Sequence, residues 1–375
     1  MQQFLILCLI CLFAPIFSLA QHEASGEDRA GFVGLPVVYY TPETRIGVGL
    51  AGVYFFRMKN VSPKTRLSSV QMLLTYTQNK QMQVKLPYEI HLNANKHILK
   101  GEVNWFKYPK TRFYGVGPHA SEEALELYTT NNLWIRSYYL YQAFDNVFLG
   151  ALYRLDNVFS IEPEDEFGEL ATGNLTGKHG GRSSGVGLVF SYDKRDNIFV
   201  PTQGPFIETA ITMNRGWTGS QFDFVRWEID ARQYLRFSQH NILAFHGVLD
   251  ASWGDPPFDT AGLLGHRSIN RGYFEGRFRD MVMASIQAEF RLQLFRGDYP
   301  REHLPFFRRF GIVFFGSLGT VAPSLSDFQV GNIKPSFGTG LRFLFNRREN
   351  LSIRFDYGWG IKGNSGAYFM IGEAF

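Results

Sequence analysis

The chain has 375 residues, of which 45% are hydrophobic and 16% aromatic, and its formal net charge at pH 7 is +4. This charge is small and acidic residues are scattered among the basic ones, so the composition does not support a nucleic-acid-binding protein. Both cysteines, Cys8 and Cys11, lie in the apolar N-terminal stretch, so their C-x-x-C spacing is not interpreted as a redox or metal motif. Spacings typical of metal ligands are absent from the sequence, and no metal or cofactor is predicted.

The N-terminal stretch is predicted to be a signal peptide. Phe4–Phe17 is a largely apolar run, and Ser18-Leu19-Ala20 after it fits an A-x-A-like cleavage site. We expect residues 1–20 to be removed, residues 21–31 to form a short periplasmic segment, and residues 32–375 to form one domain. No later stretch has the 18 or more apolar residues that a spanning helix needs, so the sequence excludes a helical membrane protein.

The rest of the chain consists of segments in which apolar and polar residues alternate. From Ile286 to Leu294, apolar residues occupy one set of alternate positions, and Gln, Glu and Arg occupy the other. Successive side chains of a β-strand point to opposite faces, so each segment predicts a strand with one apolar and one polar face. Roughly sixteen strands are predicted, near residues 32–41, 45–57, 67–77, 80–91, 96–108, 131–144, 146–157, 183–193, 204–214, 221–236, 240–252, 281–295, 307–320, 335–345, 350–360 and 366–375.

The predicted connections alternate between short and long. Segments 92–95 and 237–239 are short, whereas 109–130, 158–182 and 253–280 are long and belong to the opposite set. Short periplasmic turns and long external loops are typical of outer-membrane barrels, whose apolar face contacts lipid and whose polar face lines the lumen. The sequence therefore predicts an all-β protein, a transmembrane antiparallel β-barrel of about 16 strands in the bacterial outer membrane.

One of the long predicted loops, 158–182, is rich in acidic residues. We interpret these residues as a solvated surface, and the alternative is a role linked to divalent ions or lipopolysaccharide. The acidic residues are Glu162, Glu164, Asp165, Glu166 and Glu169.

Two strings match enzyme motifs but lack the structural context that the motifs require. Residues 47–52 match G-x-G-x-x-G, yet they lie inside a predicted strand with no following helix to receive a pyrophosphate. Residues 181–185 match G-x-S-x-G, but a nucleophile elbow needs a strand-to-helix turn, and this string leads into a strand. An outer-membrane lipase that uses Ser183 and a luminal histidine such as His246 is the least favoured hypothesis. We predict that the chain is not an enzyme.

Two segments in the second half of the chain resemble the BamA/TamA family of outer-membrane proteins, also called the bacterial surface antigen family. The first is Tyr192–Asn197 followed by Pro201–Gly204, and the second is the loop that contains Arg271–Tyr273 and leads into the strand with Glu289. The similarity extends over nearly the whole predicted barrel. The resemblance implies sixteen strands and a long sixth external loop that folds back into the lumen.

The resemblance also assigns roles to individual residues of this loop. Arg271, Gly272 and Tyr273 match the loop tip, and Glu289, on the polar face of the next strand, matches the acidic partner of the arginine. Family members usually have a second acid on the strand after that, where this chain has Ser317, which has no carboxylate to make the second contact. The guanidinium fork of Arg suits a carboxylate, and Gly lets the backbone approach the barrel wall closely. These residues are predicted to form a loop lock.

Two further sets of residues are identified. The residues that match the charged turn motif of the family are Asp193, Arg195, Asp196, Pro201 and Gly204. The last predicted strand carries a C-terminal assembly signal on one side of its pleat, which consists of Phe369, Ile371 and Phe375. Most family members carry polypeptide-transport-associated (POTRA) domains before the barrel, and we expect none here because residues 21–31 leave no room for one.

The resemblance implies a function in inserting or moving proteins, or lipids, at the outer membrane. The expected partners are outer-membrane lipids, the barrel-assembly machinery for insertion of the chain itself, and an unidentified periplasmic or outer-membrane protein in place of POTRA domains. The expected mechanism is the opening of a weak seam between Gly34–Thr41 and Gly366–Phe375, because strand glycines weaken pairing. The alternative is a passive pore or structural barrel that the loop with Arg271 plugs.

Overall fold

The computed structural model describes residues 31–58, 65–197, 200–238, 240–293, 306–346 and 351–375. Within these ranges, sixteen strands close into an antiparallel barrel, and two short strands pair with each other in the longest loop. The sixteen barrel strands correspond to those predicted from the alternation of the sequence. The predicted signal peptide and nearly all of the predicted periplasmic segment lie outside the described residues.

The barrel strands, in chain order, are β1 (Gly31–Thr41), β2 (Arg45–Phe56), β3 (Ser68–Thr77), β4 (Met82–Leu92), β5 (His97–Phe113), β6 (Glu126–Phe144), β7 (Val147–Pro163), β8 (Gly181–Asp193), β9 (Gly204–Asn214), β10 (Phe224–Arg236), β11 (Asn241–Gly254), β14 (Val282–Gln293), β15 (Phe310–Ala322), β16 (Lys334–Asn346), β17 (Leu351–Gly360) and β18 (Ser365–Ile371). The loop strands are β12 (Gly262–Leu264) and β13 (Phe278–Asp280). A four-residue helix, α1 (Glu169–Thr172), and four 3-10 turns complete the described structure; the turns are Gly216–Thr218, Phe306–Arg309, Leu325–Asp327 and Val330–Asn332. None of the described helices has the length and apolar character to cross a membrane.

Three strands are longer than the sequence predicts. β5 continues to Phe113, β6 begins at Glu126 and β7 continues to Pro163, so the loops at 109–130 and 158–182 are shorter than expected. The physical reason is an apolar cluster inside the loop-bearing end of the barrel, where side chains of these strands pack against α1 and against the loop between β11 and β14. The cluster consists of Phe113, Tyr128, Val158, Ile161, Leu170 and Phe258.

The two faces of the barrel wall follow the predicted alternation. On β14, Ile286 and Phe290 are 62% and 39% exposed on the outside, whereas Gln287 and Glu289 face the lumen and are buried. The outward face of the barrel is therefore apolar and the luminal face is polar, which is the arrangement of an outer-membrane barrel.

The barrel closes between β1 and β18, and the pairing at this junction is short. Among the described residues, Tyr40 and Phe369 are the single aligned pair across it. By contrast, β1 pairs with β2 at eleven positions, and β17 pairs with β18 at seven. The junction between the first and last strands is therefore the least paired part of the described barrel wall.

The last strand is shorter than predicted. β18 ends at Ile371 because Gly372 adopts a φ of +88°, which turns the chain toward the lumen. Phe369 and Ile371 lie on the outward side of β18, opposite to the luminal Tyr368, but Phe375 is buried among side chains of the inner wall. The prediction that Phe375 shares a face with Phe369 and Ile371 is therefore wrong.

Candidate functional site

The loop between β11 and β14, residues 255–281, folds into the lumen. Its β12–β13 ribbon carries a tip that contacts the inner wall of the barrel. Asn270 begins the contact with a φ of +49°. Its side-chain amide donates to the carbonyl of Lys334 at 3.0 Å, and its side-chain oxygen accepts a hydrogen bond from Ser285 at 2.5 Å. Both β14 and β16 therefore fix the backbone just before the tip.

Arg271 is fully buried and binds two acids on different strands. One terminal nitrogen contacts Glu289 of β14, and the other, Nη1, lies 2.6 Å from Oδ2 of Asp356 of β17. The guanidinium also stacks on Phe315 of β15, 3.6 Å from the ring centroid. The structure thus brings together Arg271 and Glu289, the two charged residues that the sequence identified. It adds a second acid, Asp356, that sequence reasoning missed.

The predicted second position, Ser317, does not contact Arg271. Its hydroxyl lies 2.6 Å from that of Ser336 on the neighbouring strand. The second acid that contacts Arg271 is instead Asp356 of β17, which lies two strands further along the sheet. Asp356 and Arg354 are two residues apart on β17, so both side chains point into the lumen. This alternation of polar residues is the signal in the sequence that could have identified Asp356.

Gly272 lets the loop approach β17 more closely than any other residue could. Its φ is +113°, and a Cβ atom there would lie 2.8 to 3.0 Å from backbone atoms of residues 358–360. Its N–H donates to the hydroxyl of Tyr368 on β18 at 3.1 Å. A side chain at this position would push the loop off the wall, because both the conformation and the space require glycine.

Tyr273 anchors the tip at the loop-bearing end of the barrel. Its hydroxyl donates to the carbonyl of Pro335 at 2.8 Å and accepts from the N–H of Ile361 at 3.0 Å. Its ring packs in a buried apolar cluster with, among others, Leu264 and Phe278. The tip residues 271–273 together contact strands β14 to β18 or the ends of these strands.

The two acids that bind Arg271 also bind other arginines. Glu289 accepts from Arg291 at 2.7 Å, and Asp356 accepts from Arg342 at 2.5 Å and lies 3.5 Å from Arg354. Buried charges are tolerated when each is paired, and removing one partner leaves the others without compensation. The lock is therefore a network of mutually dependent charges.

The loop also contacts the turn between β1 and β2. The N–H of Glu275 donates to the Glu43 carboxylate at 3.0 Å, and Asn79 donates to the Glu43 carbonyl at 2.7 Å. Burial raises the pKa of Glu43, and the nearby charge of Glu275 raises it further. The loop thus contacts both sides of the junction between β1 and β18. It reaches the β1–β2 turn through Glu43 and β18 through Gly272.

The predicted turn motif lies at the opposite end of the barrel and forms a separate unit. Arg195 binds Asp193 through two hydrogen bonds, at 2.9 and 2.7 Å, and its guanidinium lies 4.3 Å from the ring centroid of Phe206. Burial alone would raise the pKa of Asp196, but hydrogen bonds that include those from Thr202 hold it below its ordinary value.

Glycine and proline complete this turn. Gly204 has a φ of +100°, and a Cβ atom there would lie 2.1 Å from the carbonyl oxygen of Lys194. Pro201 is buried in the turn. The five residues of the motif therefore lie in the connection between β8 and β9 or at the strand ends beside it, and the structure does not bring them near the loop tip. No cluster of His, Cys, Asp and Glu within the described ranges is arranged to hold a metal ion.

Comparisons with known proteins agree with this architecture. Residues 59–375 match the Omp85 superfamily domain. The fold is similar to the crystal structure of BamA from Haemophilus ducreyi lacking POTRA domains 1–3, with a TM-score of 0.60 and 13% identity over 92% of this chain and 70% of that chain. It is also similar to CdiB from Acinetobacter baumannii, with a TM-score of 0.55 and 13% identity over 91% of this chain and 59% of that chain. No curated protein matches the chain.

Proposed function

Because the chain belongs to the Omp85 superfamily, we propose that it assists the insertion or translocation of proteins, or of lipids, at the outer membrane. The family and the closed sixteen-stranded barrel support an outer-membrane location. The similarity to BamA and CdiB is a similarity of fold.

The observation that carries the proposal is the short junction between β1 and β18. Among the described residues, one aligned pair joins these strands, so most of β1 lacks a partner on this side. Unpaired backbone groups in a membrane are costly unless another strand satisfies them. An opening at this junction would give a client access from the lumen to the lipid.

Gly366 supports a close but weak contact at the same junction. A Cβ atom there would lie 2.7 Å from the hydroxyl of Tyr368 and 3.0 Å from Pro42 in the turn after β1. Glycine thus lets the two ends approach, but it contributes no side-chain packing. The loop that holds Tyr368 and Glu43 from inside then controls how far the junction can open.

Cross-linking tests the proposal directly. Cysteines at the aligned pair, Tyr40→Cys with Phe369→Cys, would tie β1 to β18 without other thiols, because Cys8 and Cys11 are the chain's natural cysteines and both lie in the predicted signal peptide. We expect the oxidised variant to lose its effect on the assembly of other outer-membrane proteins or lipids, and reduction to restore it.

The matched control ties Tyr40 to its other neighbour. Tyr40→Cys with Ile46→Cys links β1 to β2, which are already paired at this position, and leaves the junction free to open. Activity should survive this cross-link. Full activity in both oxidised variants would remove the opening from the mechanism.

A plugged pore or structural barrel is the second candidate, and the packing of the lumen favours it. The loop tip fills one side of the lumen, and Lys100 of β5 meets Glu208 of β9 at 2.9 Å on the other. Removing residues 266–276 should raise the conductance of the barrel in a planar bilayer under both proposals. Under the pore proposal alone, the deletion leaves the assembly of other outer-membrane proteins unchanged.

We also propose that the chain acts without catalysing a reaction. Ser183 is buried, and its hydroxyl makes no hydrogen bond within the described part of the chain. His246 contacts Gln287 and Asp230. A loss of lipid hydrolysis in Ser183→Ala would favour the lipase hypothesis. The outer-membrane lipids, assembly machinery and periplasmic partner expected from the sequence remain part of the proposal, and co-purification in mild detergent followed by mass spectrometry tests them.

A further inference from the structure

A small cavity lies at the loop-bearing end of the barrel, between the turns that follow β1 and β3 and the upper part of β5. Its volume is about 180 Å³. Its lining includes Pro42, Glu43, Arg45, Asn79, Lys110 and Arg112. None of these residues belongs to the loop tip or to the turn motif between β8 and β9, so the cavity is a separate feature of the molecule.

Positive charge dominates the lining of this cavity. Arg45, Lys110 and Arg112 are its three bases and Glu43 is its single acid, which leaves a net charge of +2. Among the described residues, no carboxylate forms an ion pair with any of the three bases. The Glu43 carboxylate accepts a hydrogen bond from the N–H of Glu275 at 3.0 Å. Three bases without acidic partners around one cavity favour an anionic ligand.

The contacts of Arg112 hold its guanidinium in place at the cavity. The guanidinium stacks on Phe274, 3.6 Å from the ring centroid, and Nη1 donates to the hydroxyl of Tyr114 at 3.1 Å. An arginine has five N–H donors, so these contacts leave donors for a ligand. Arginine suits phosphate because two of its N–H groups can donate to two oxygens at once.

A bulge in β5 takes Lys110 out of the regular strand pairing. The register between β5 and β6 shifts between Tyr108 and Thr111, so Lys110 has no aligned partner on β6. Pairing of β5 with β4 ends at Lys107. Bulges redirect side chains, and Lys110 is exposed where it lines the cavity, as is Arg45 at the start of β2. Both bases are therefore accessible to a ligand.

The strands whose turns line the cavity have apolar residues on their outer face next to these turns. Ile46 directly follows Arg45 and is exposed. Tyr76 and Met82 are also exposed, and they form the aligned pair that flanks the turn with Asn79. The apolar outer face contacts lipid, so the cavity lies close to the level of the lipid headgroups.

We propose that Arg45, Lys110 and Arg112 bind a phosphate monoester in the headgroup of a membrane lipid. Such a group carries about 1.5 to 2 negative charges near pH 7, which matches the net charge of the cavity better than the single charge of a phosphodiester does. The acyl chains of the lipid lie against the outer face of β2 to β4, where Ile46 and Tyr76 are exposed.

The site lies beside the junction between β1 and β18. A Cβ atom at Gly366 of β18 would lie 3.0 Å from Pro42, which lines the cavity. A bound lipid would therefore lie next to the two strands that close the barrel. Binding at this site does not require the junction to open, so a failure of this proposal is distinguishable from a failure of the proposed function.

Native mass spectrometry of the full-length protein in detergent tests the proposal. Phosphatidic acid, a lipid with a phosphate monoester, is the probe, and phosphatidylcholine with the same acyl chains is the comparison. We expect the double variant Arg45→Gln with Lys110→Gln to bind phosphatidic acid about tenfold more weakly than the wild type, because it loses two charge-assisted contacts. Its binding of phosphatidylcholine should not change.

Lys362→Gln is the matched control for Lys110→Gln. Lys362 is exposed in the turn between β17 and β18 and has a φ of +55°, close to the +58° of Lys110, but it does not line the cavity. Lys362→Gln should bind phosphatidic acid as the wild type does. Lys110→Arg keeps the charge and should also bind as the wild type does. An equal loss of binding in Lys362→Gln and Lys110→Gln would overturn the proposal.

Inorganic phosphate distinguishes a lipid headgroup from a free phosphate ion. Because it has no acyl chains, it should compete with phosphatidic acid at least tenfold more weakly than a second phosphatidic acid of different chain length does. Equal competition would overturn the assignment to a lipid. Equal binding of phosphatidic acid by the wild type and the double variant would overturn the phosphate site itself.

Discussion

Arg271 and Asp356 lie 85 residues apart in the chain, yet their side chains meet at 2.6 Å inside the barrel. Glu289, the other acid at Arg271, is only 18 residues away and lies on the strand that directly follows the loop. The lock therefore joins a local contact to a distant one. Asp356 is the more connected acid, because Arg342 and Arg354 contact it as well.

Removing the Asp356 carboxylate should destabilise the barrel strongly. Asp356→Ala leaves Arg271 with one acid and leaves Arg342 and Arg354 without their shared partner. Breaking a buried pair in this way costs about 3 to 5 kcal/mol. The temperature at which the folded, fast-migrating form disappears on semi-native gels measures the effect. Ser317→Ala should cost about 1 kcal/mol or less, because its hydroxyl bonds only to Ser336 among the described residues, and a larger loss than in Asp356→Ala would contradict the assignment.

A methyl group at position 272 should release the loop tip. Gly272→Ala places a Cβ atom about 2.8 Å from the backbone of β17 at a φ of +113°. The strain from this conformation alone is on the order of 1 to 3 kcal/mol. We expect faster trypsin cleavage at Arg271, measured in intact outer membranes. Gly331→Ala is the control, because a Cβ atom there meets no atom within 4 Å, and equal cleavage in the two variants would show that the tip tolerates a side chain.

The half-buried loop residue Asp259 should make stability depend on pH. Burial raises its pKa from 3.8 to about 6, and the charge of Asp156 adds to the shift. Since the folded state favours the protonated form, the contribution of Asp259 to stability is present below pH 4 and is lost as the pH rises through about 6. Asp259→Asn should therefore unfold at a higher temperature than the wild type at pH 8, with a smaller difference at pH 5.

Asp255→Asn provides the comparison for this experiment, because Asp255 is exposed in the same loop. Its unfolding temperature should follow that of the wild type at both pH values. An Asp259→Asn variant that loses stability at pH 8 would mean that the carboxylate makes a favourable contact in its charged form.

A charge on the outer face should impair assembly more than a charge in the open part of the lumen. Phe290→Arg places a cation on the lipid-facing side of β14, which costs about 2 to 4 kcal/mol near the membrane midplane. Gln71 lines a luminal cavity of about 350 Å³, so Gln71→Arg should be tolerated. The yield of heat-modifiable barrel in outer membranes measures both, and equal yields would argue that the face of β14 assigned to lipid is wrong.

The alternation of side chains predicted most of the barrel because a membrane wall imposes it on every strand. The positions of Ile286 and Glu289 in the alternation were enough to assign Ile286 to the outer face and Glu289 to the luminal face. The sequence did not predict the last residues of β5 and β7. These residues are stabilised by apolar side chains of the loops that cover them, and periodicity does not reveal such contacts. Parity also misplaced Phe375, because the turn at Gly372 depends on a positive φ that glycine permits but does not dictate.

The choice of Asp356 as the second acid could not be predicted for a different reason. The alternation of β17 indicates that Asp356 faces the lumen, but several other acids also face the lumen. Which of them contacts Arg271 depends on how deeply the loop enters the barrel. Resemblance indicated the strand of Ser317 instead. The close approach at Gly272 determines the depth of the loop, and this approach is a property of the folded backbone.

The two acids at Arg271 lead us to expect an order of events during folding. The contact with Glu289 closes a short stretch of chain and carries a small entropic cost, whereas the contact with Asp356 requires β15 to β17 to be in place first. We therefore expect Arg271 to become fully protected only after β15 to β17 are in place. A kinetic probe at this residue would then follow a late stage of barrel formation.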